Sequence, residues 1–478
     1  MKMLKKNFLK ALGLSVALLS TTANAMSLDW NGGYRFEWTE VDKPSLGSPS
    51  ERKAYGLNYL YLSPKIIAAD GVNIISRFDI MSSSNANPDY QNSQLGEIWG
   101  LNQNTSAATS TNQGSVAVRT SQLYLNVNQE YGALIVGRAP FDFGLGMTYS
   151  SGKGAFDHWY DTRDMVAYKV VIGDWFIMPM IGRKASTNGY GQGGTISTLG
   201  AQLQYESVEN KSLLGVFMEQ VKGSQGSLGY DAGQIAAFGG TAVGSDMSIQ
   251  RTNFVLGRGF DSFGFKLEAG FQTGETGVTT ASGSNVSVNG YGIAAELYFP
   301  RAESKWDWTL KAGMATGDDS GSSEFSGYAF NRNYDVGMLL FNHRLGNKDF
   351  LNTNVYRTGV DPVVAGNGGI EDVGNSADDE YLSNAFYLAP SVGYAWNEKV
   401  DVRNTLVYAQ MMNSAKNSVD SAKDLGLEWD IEVIYKPIER IQWVNQLGLL
   451  FPGSAWKDGS QFENSFTFGF ASKAAISF

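Results

Sequence analysis

The sequence predicts an all-β fold: a transmembrane antiparallel β-barrel of about 18 strands, with 16–20 as the range, short periplasmic turns and long extracellular loops. Three observations predict it. Apolar and polar residues alternate with period two over stretches long enough to cross a bilayer. The connections between these stretches are short and long in turn. The last stretch ends on an aromatic residue, Phe478.

The chain opens with a targeting signal. Lys2, Lys5, Lys6 and Lys10 precede a short apolar run from Ala11 to Leu19, and Ala23-Asn24-Ala25 supplies a small-x-small cleavage site. Residues 1–25 are therefore expected to be a signal peptide, and the barrel is expected to occupy 26–478 as one domain. The apolar run is too short to anchor the chain, and no later window offers the length of apolar sequence that a transmembrane helix needs.

The first mature stretch sets the pattern. Leu28, Trp30, Gly32, Tyr34, Phe36 and Trp38 fall on one face, and Asp29, Asn31, Gly33, Arg35 and Glu37 on the other. A soluble strand is commonly about five or six residues long, so a strict alternation of this length suits a tilted membrane strand better. Phe263 to Phe271, Tyr291 to Phe299, Trp306 to Met314 and Leu427 to Tyr435 repeat it, with charges returning on the same face each time. A water-filled lumen requires that opposition. Phe466, Phe468, Phe470, Ala474, Ile476 and Phe478 give the last strand an apolar face, and Phe478 is read as an assembly signal for the barrel-assembly machinery.

Short connections include Ala69-Asp70-Gly71, Gly173-Asp174 and Asn397-Glu398-Lys399; long polar ones include 82–114, 223–246, 317–334 and 359–380. Twenty candidate strands emerge, and the pair within Asp335 to Thr358 alternates poorly; dropping it leaves eighteen.

Composition narrows function. The chain has 13% aromatic residues, 56 glycines, no cysteine and two histidines, so thiolate metal sites and disulfides are excluded. Removing the signal and its four lysines shifts the formal charge from −10 to −14, which argues against a nucleic-acid partner. No cofactor is implied. Catalysis would need His158, beside Asp157 and near Ser150 and Ser151, or His343, yet no nucleophile elbow or paired-histidine metal motif accompanies either. Asp318, Asp319 and Glu324 match no calcium loop. The expected role is passive diffusion of ions or small hydrophilic solutes across the outer membrane of a Gram-negative bacterium, by a barrel in contact with lipid and lipopolysaccharide, with a monomer favoured. A receptor or adhesin acting through the external loops is the alternative, and a hydrolase the remote one.

Candidate pore residues cluster in 138–164. This stretch carries Gly144, Gly146, Gly152 and Gly154 among many charges, and reads as a loop folded into the pore. Arg138, Asp142, Asp157, Asp161, Arg163 and Asp164 are then expected to line a constriction, with Arg183 and Arg332 as further lumen or rim cations.

Three stretches, Gly137-Arg138 with Trp159 to Asp164, Ala315 to Asp319, and Leu425 to Asp430 with Phe451-Pro452-Gly453, together resemble the alginate-export type of outer-membrane porin. The resemblance implies an eighteen-stranded barrel, a pore role and a saccharide or uronate-type solute. The inward positions here mix Arg35, Arg77, Arg119, Lys266 and Lys311 with Asp79, Glu268, Glu296, Glu428 and Asp430, so no particular substrate is carried over.

Overall fold

Inside hydrocarbon every backbone N–H and C=O must find an internal partner, and a sheet achieves this only by closing on itself. The computed structural model of the protein shows that closure. It describes residues 27–48, 50, 52–80, 96–97, 118–159, 161–184, 196–228, 230, 232–301, 303–318, 323–356, 378, 380–415 and 418–478. The expected signal peptide, Asp319 and most of the loops expected at 82–114 and 359–380 lie outside the described residues.

Eighteen long strands form one antiparallel barrel. In chain order they are β1 (Ser27–Val41), β2 (Lys53–Ala69), β3 (Val72–Ile80), β4 (Val118–Gln129), β5 (Gly132–Pro140), β6 (Thr162–Ile172), β7 (Trp175–Lys184), β8 (Ile196–Ser207), β9 (Ser212–Gly223), β10 (Met247–Gly259), β11 (Gly264–Thr279), β12 (Asn285–Phe299), β13 (Trp306–Ala315), β14 (Ala385–Ala395), β15 (Val400–Met411), β16 (Asp424–Ile438), β17 (Ile441–Pro452) and β18 (Thr467–Ser477). Each pairs with the next, and β18 returns to β1 from Gly33↔Ser477 to Val41↔Gly469. Phe478 completes the seam: its N–H donates to the Gly32 carbonyl at 3.0 Å and its own carbonyl accepts from Gly32 at 2.9 Å. Only a glycine fits at position 32, because a Cβ there would lie 2.6 Å from the Phe478 ring and 2.7 Å from the Tyr61 carbonyl.

The outer wall is apolar. Trp30, Ile181 and Leu199 are 53%, 58% and 60% exposed, an arrangement that water would penalise and hydrocarbon does not. The inside–outside phase expected from alternation holds on β1, β11, β12, β13, β16 and β18, whose outward Tyr34, Phe271, Tyr291, Trp308, Leu427 and Phe470 are all exposed. Aromatic pairs mark the short-turn rim, among them Trp175 with Tyr205 at 5.1 Å and Trp306 with Tyr394 at 4.6 Å.

The interior holds two inward segments, 141–161 between β5 and β6 and 326–356 between β13 and β14, packed in apolar clusters around Phe217, Phe330, Tyr387 and Leu339. The poorly alternating stretch from Asp335 belongs to the second segment and forms no strand among the described residues, as a strand count of eighteen requires.

Phe254 lies outward near the middle of β10, whereas Phe265 is the second residue of β11 at the short-turn rim. Phe254→Arg should therefore destabilise the barrel by about 2–4 kcal/mol and Phe265→Arg by about 0–1 kcal/mol, read from denaturant unfolding in lipid vesicles. Equal costs at both positions would contradict this placement of the hydrocarbon core.

Candidate functional site

The segment 141–161 runs into the lumen because its backbone donors meet a buried carboxylate on the wall five strands from β6. After β5 the chain turns through Gly144 and Gly146, whose φ angles are +61° and +78°. That conformation turns successive N–H groups toward one point, an anion-binding nest. The anion is Glu268 of β11: Oε2 accepts from Leu145 N–H at 2.7 Å and Met147 N–H at 3.2 Å, and Oε1 from Thr148 N–H at 3.3 Å. A Cβ at position 144 would stand 2.5 Å from Glu268 Oε2, so the approach itself requires glycine.

Beside this pin, Arg163 of β6 stacks on Phe141 at 4.2 Å and Tyr149 at 4.8 Å while its guanidinium donates to Glu219 of β9. The Tyr149 hydroxyl donates to the same carboxylate at 3.0 Å. The charge of Arg163 is thus paired, stacked and buried rather than presented to solvent.

The other end of the segment reaches β1. Arg35 Nη1 donates to the Asp157 carbonyl at 2.5 Å and the Ala155 carbonyl at 3.3 Å. His158 lies between two carboxylates, with Nε2 2.9 Å from Glu37 Oε1 and Nδ1 against Asp378. Burial disfavours the imidazolium, but the Asp378 and Glu37 carboxylates outweigh it and hold the His158 pKa up to about 9. His158 bonds to these acids and not to the neighbouring serines, so the arrangement that would activate a nucleophile does not form.

The second segment joins the first. Asn331 N–H donates to the Met147 carbonyl at 2.6 Å and its side chain to Asp161 at 2.9 Å; Asn333 Oδ1 accepts from the His158 and Trp159 N–H groups. Arg332 is sandwiched between the Trp159 and Tyr381 rings at 4.0 and 4.1 Å. A second carboxylate pin holds this segment to the wall two strands beyond β14: Glu428 of β16 accepts from Leu339 N–H at 2.6 Å and Leu340 N–H at 2.7 Å, and Asp430 from Met338 N–H at 3.0 Å. Together the two segments form a partition from β1 to β11 and β16.

Two cavities adjoin the partition. The larger, about 760 Å³, is lined by Arg35, Arg77, Lys153, Lys436 and Arg440 against a single acid, Glu439, with Tyr59, Tyr61 and Gln122 among its other walls. Arg35 lies 4.7 Å over the Tyr59 ring and Arg77 4.2 Å over the Tyr61 ring, and both contact wall carboxylates, Glu37 at 3.0 Å and Asp79 at 3.1 Å. The smaller, about 250 Å³, is lined by Asp335, Asp378, Asp430 and Glu432 with Lys311, Arg403 and Lys473.

The structure separates the expected site residues. Asp142, Asp157, Asp161, Arg163 and Arg332 belong to the partition or its supports: Asp142 accepts from the Ser151 N–H and hydroxyl at 2.7 Å each and pairs with Lys153, and Asp157 accepts from Gly154 N–H at 2.7 Å. Arg138, Asp164 and Arg183 do not. Ala139 and Arg163 are cross-strand partners facing inward, so the adjoining pair Arg138↔Asp164, and Arg183 opposite Asp164, face outward with Val166 and Ile181. The expectation that these three line the pore is corrected accordingly. Glu219, Glu268 and Asp378, which complete the partition, have no local sequence signal that pairs them with the loop. Of the acids considered for calcium, Asp318 accepts from Ser326 N–H at 3.0 Å and is used within its loop.

The sign of the His158 shift sets a pH dependence. A histidine raised from 6.5 stabilises the folded partition fully below that pH, and the contribution is lost as pH rises through about 9. Amide hydrogen exchange at 155–160 should accelerate between pH 7 and 10 beyond the intrinsic base-catalysed rate in the wild type, and not in His158→Asn. An identical excess in both proteins would remove His158 as its source.

No protein-family model matches the sequence, and no curated protein matches it. Solved structures do share the fold. The chain is similar to Acinetobacter baumannii OccAB3 with a TM-score of 0.52 and 10% identity, covering 95% of this chain and 100% of that one. It is similar to Pseudomonas aeruginosa OccK9 (OpdG) at 0.51 and 10%, covering 95% and 98%, and to Pseudomonas aeruginosa OccK2 (OpdF), solved in complex with glucuronate, at 0.50 and 9%, covering 95% and 98%. These neighbours are Occ/Opd porins and not the alginate-export type, which overturns the resemblance drawn from the three short stretches.

Proposed function

We propose that the chain is an outer-membrane porin, a passive channel for small hydrophilic solutes, with carboxylate-bearing ones favoured. The observation that carries this reading is a closed lipid-facing barrel whose lumen is narrowed by a pinned partition and opens into a cavity with five basic side chains and one acid. Cations lining a narrow pore favour anions. Arg35 and Arg77 are held rigid by their ring contacts and by Glu37 and Asp79, so they set a fixed distribution of charge at the cavity wall. The shared fold with a porin solved with glucuronate supports the same solute class. Asp142, Asp157, Asp161, Arg163 and Arg332 act in this reading by holding the constriction's shape, and Phe478 by closing the seam during assembly.

Planar-bilayer recording tests the proposal. The mature protein should give discrete open-channel steps with a reversal potential shifted toward anions, and Arg35→Ser with Arg77→Ser should shift it back. Glu268→Ala, which leaves three loop N–H groups without their acceptor, should raise single-channel conductance about twofold or more and add current noise, since a freed loop no longer holds the pore width. Absence of any steps from folded protein would sink the channel reading.

A further inference from the structure

The three charged residues that do not face the lumen form part of one row on the outside of the barrel. Arg138, Asp164, Arg183, Ser197, Lys222 and Ser248 are successive direct cross-strand partners on β5 to β10. Neighbouring strands are about 4.8 Å apart, so Arg138, Arg183 and Lys222 lie within about 20 Å along the wall. Arg138 donates bidentately to Asp164 at 2.6 and 2.7 Å. Arg183 and Lys222 are exposed and make no ion pair among the described residues. The row's three cations thus face one acid.

Its height is defined by the topology. β5, β7 and β9 rise from the short turns at 130–131, 173–174 and 208–211, so the row lies at the long-loop rim, which is the external one. Below it, toward the membrane centre, come Val166, Ile181 and Leu199, all exposed and apolar. The cations therefore stand just above the last apolar row, at the depth of outer-leaflet headgroups. Elsewhere on this rim the wall presents Phe386, Leu427, Phe451 and Phe466, and Arg52 is paired with Glu40 at 2.9 Å. Among the described strand residues of this rim, the outward cations without an ion pair are on β7 and β9.

We propose that this face binds the phosphorylated sugar headgroup of lipopolysaccharide, with Arg183 and Lys222 as its phosphate ligands and Arg138, oriented by Asp164, beside them. The proposal rests on the outer-membrane reading. Position selects the ligand: an outer-leaflet lipid delivers its phosphates to this height while its acyl chains cover Ile181 and Leu199, whereas free phosphate gains only the screened charge term.

The test compares the mature protein with Arg183→Ser/Lys222→Ser in mild detergent, using lipopolysaccharide and the same lipid stripped of its phosphates, read by native mass spectrometry. Wild type should retain the phosphorylated lipid about tenfold or more over the stripped one, and the double variant should lose that preference. Arg183→Lys/Lys222→Arg should keep it. Equal retention of the two lipids by wild type, or undiminished preference in the serine variant, overturns the proposal, as does equal competition by inorganic phosphate at the concentration of the lipid. Conductance in phospholipid bilayers separates this from the channel reading: both proteins should conduct alike, and a wild type without steps would condemn the channel and not the lipid site.

Discussion

Closure of the backbone ladder is the constraint from which the rest follows. An open edge within hydrocarbon would leave a row of unpaired amides, so β18 must meet β1, and the seam extends to the last residue, where Phe478 and Gly32 exchange both of their hydrogen bonds. Closing eighteen strands fixes a circumference too large for wall side chains to fill. The interior is then a second design problem, which the sheet itself cannot solve.

The solution is to fill the lumen with chain and to hold that chain by charge. Each inward segment presents several backbone N–H groups to a carboxylate that a strand outside its own hairpin has already buried, Glu268 in one case and Glu428 in the other. A buried carboxylate without such donors would be costly, and a cluster of loop amides without an acceptor would be costly too, so each defect specifies its partner. Apolar packing around Phe217 and Leu339 adds stability, but it is non-directional and would not by itself select one loop position. His158 then ties the first segment to Glu37 of β1 and to Asp378, while Asn331 and Asn333 tie the two segments to each other.

This division explains what the sequence could disclose. Strand identity and phase were legible wherever one face meets lipid and the other meets water, as on β1, β11 and β16, and poor alternation after Asp335 marked that stretch as the weakest candidate for the wall. The phase of β5 was not legible, for a physical reason. Its inward Ile135 and Ala139 pack in one cluster with the loop's Phe141 and Phe143, not against water, and its other inward positions are Ala133 and Gly137, so both faces read as apolar and Arg138 could be assigned to either. The inward loop was legible from its glycines and charges, whereas its anchors were not: Glu268 lies more than a hundred residues from Leu145 and resembles any other lumen acid until the fold brings them together. The three-stretch family resemblance failed because short motifs at loop ends report strand ends and turns, which porins of different families share.

The same physics links the inside of β5 to β9 with their outside. Because the loop covers their inner faces with Phe141, Phe143 and Tyr149, the inner positions of these strands include Ala139, Met165, Ala167, Met178 and Met180, and the inward charges Arg163 and Glu219 are paired with each other. Charge on this side of the barrel is therefore displaced to the outer rim, as Arg138, Asp164, Arg183 and Lys222, while β1 to β3 keep theirs inside as Arg35, Glu37, Arg77 and Asp79. The two halves of the wall are complementary. One turns its cations toward the lumen, and the other turns them toward the outside of the barrel.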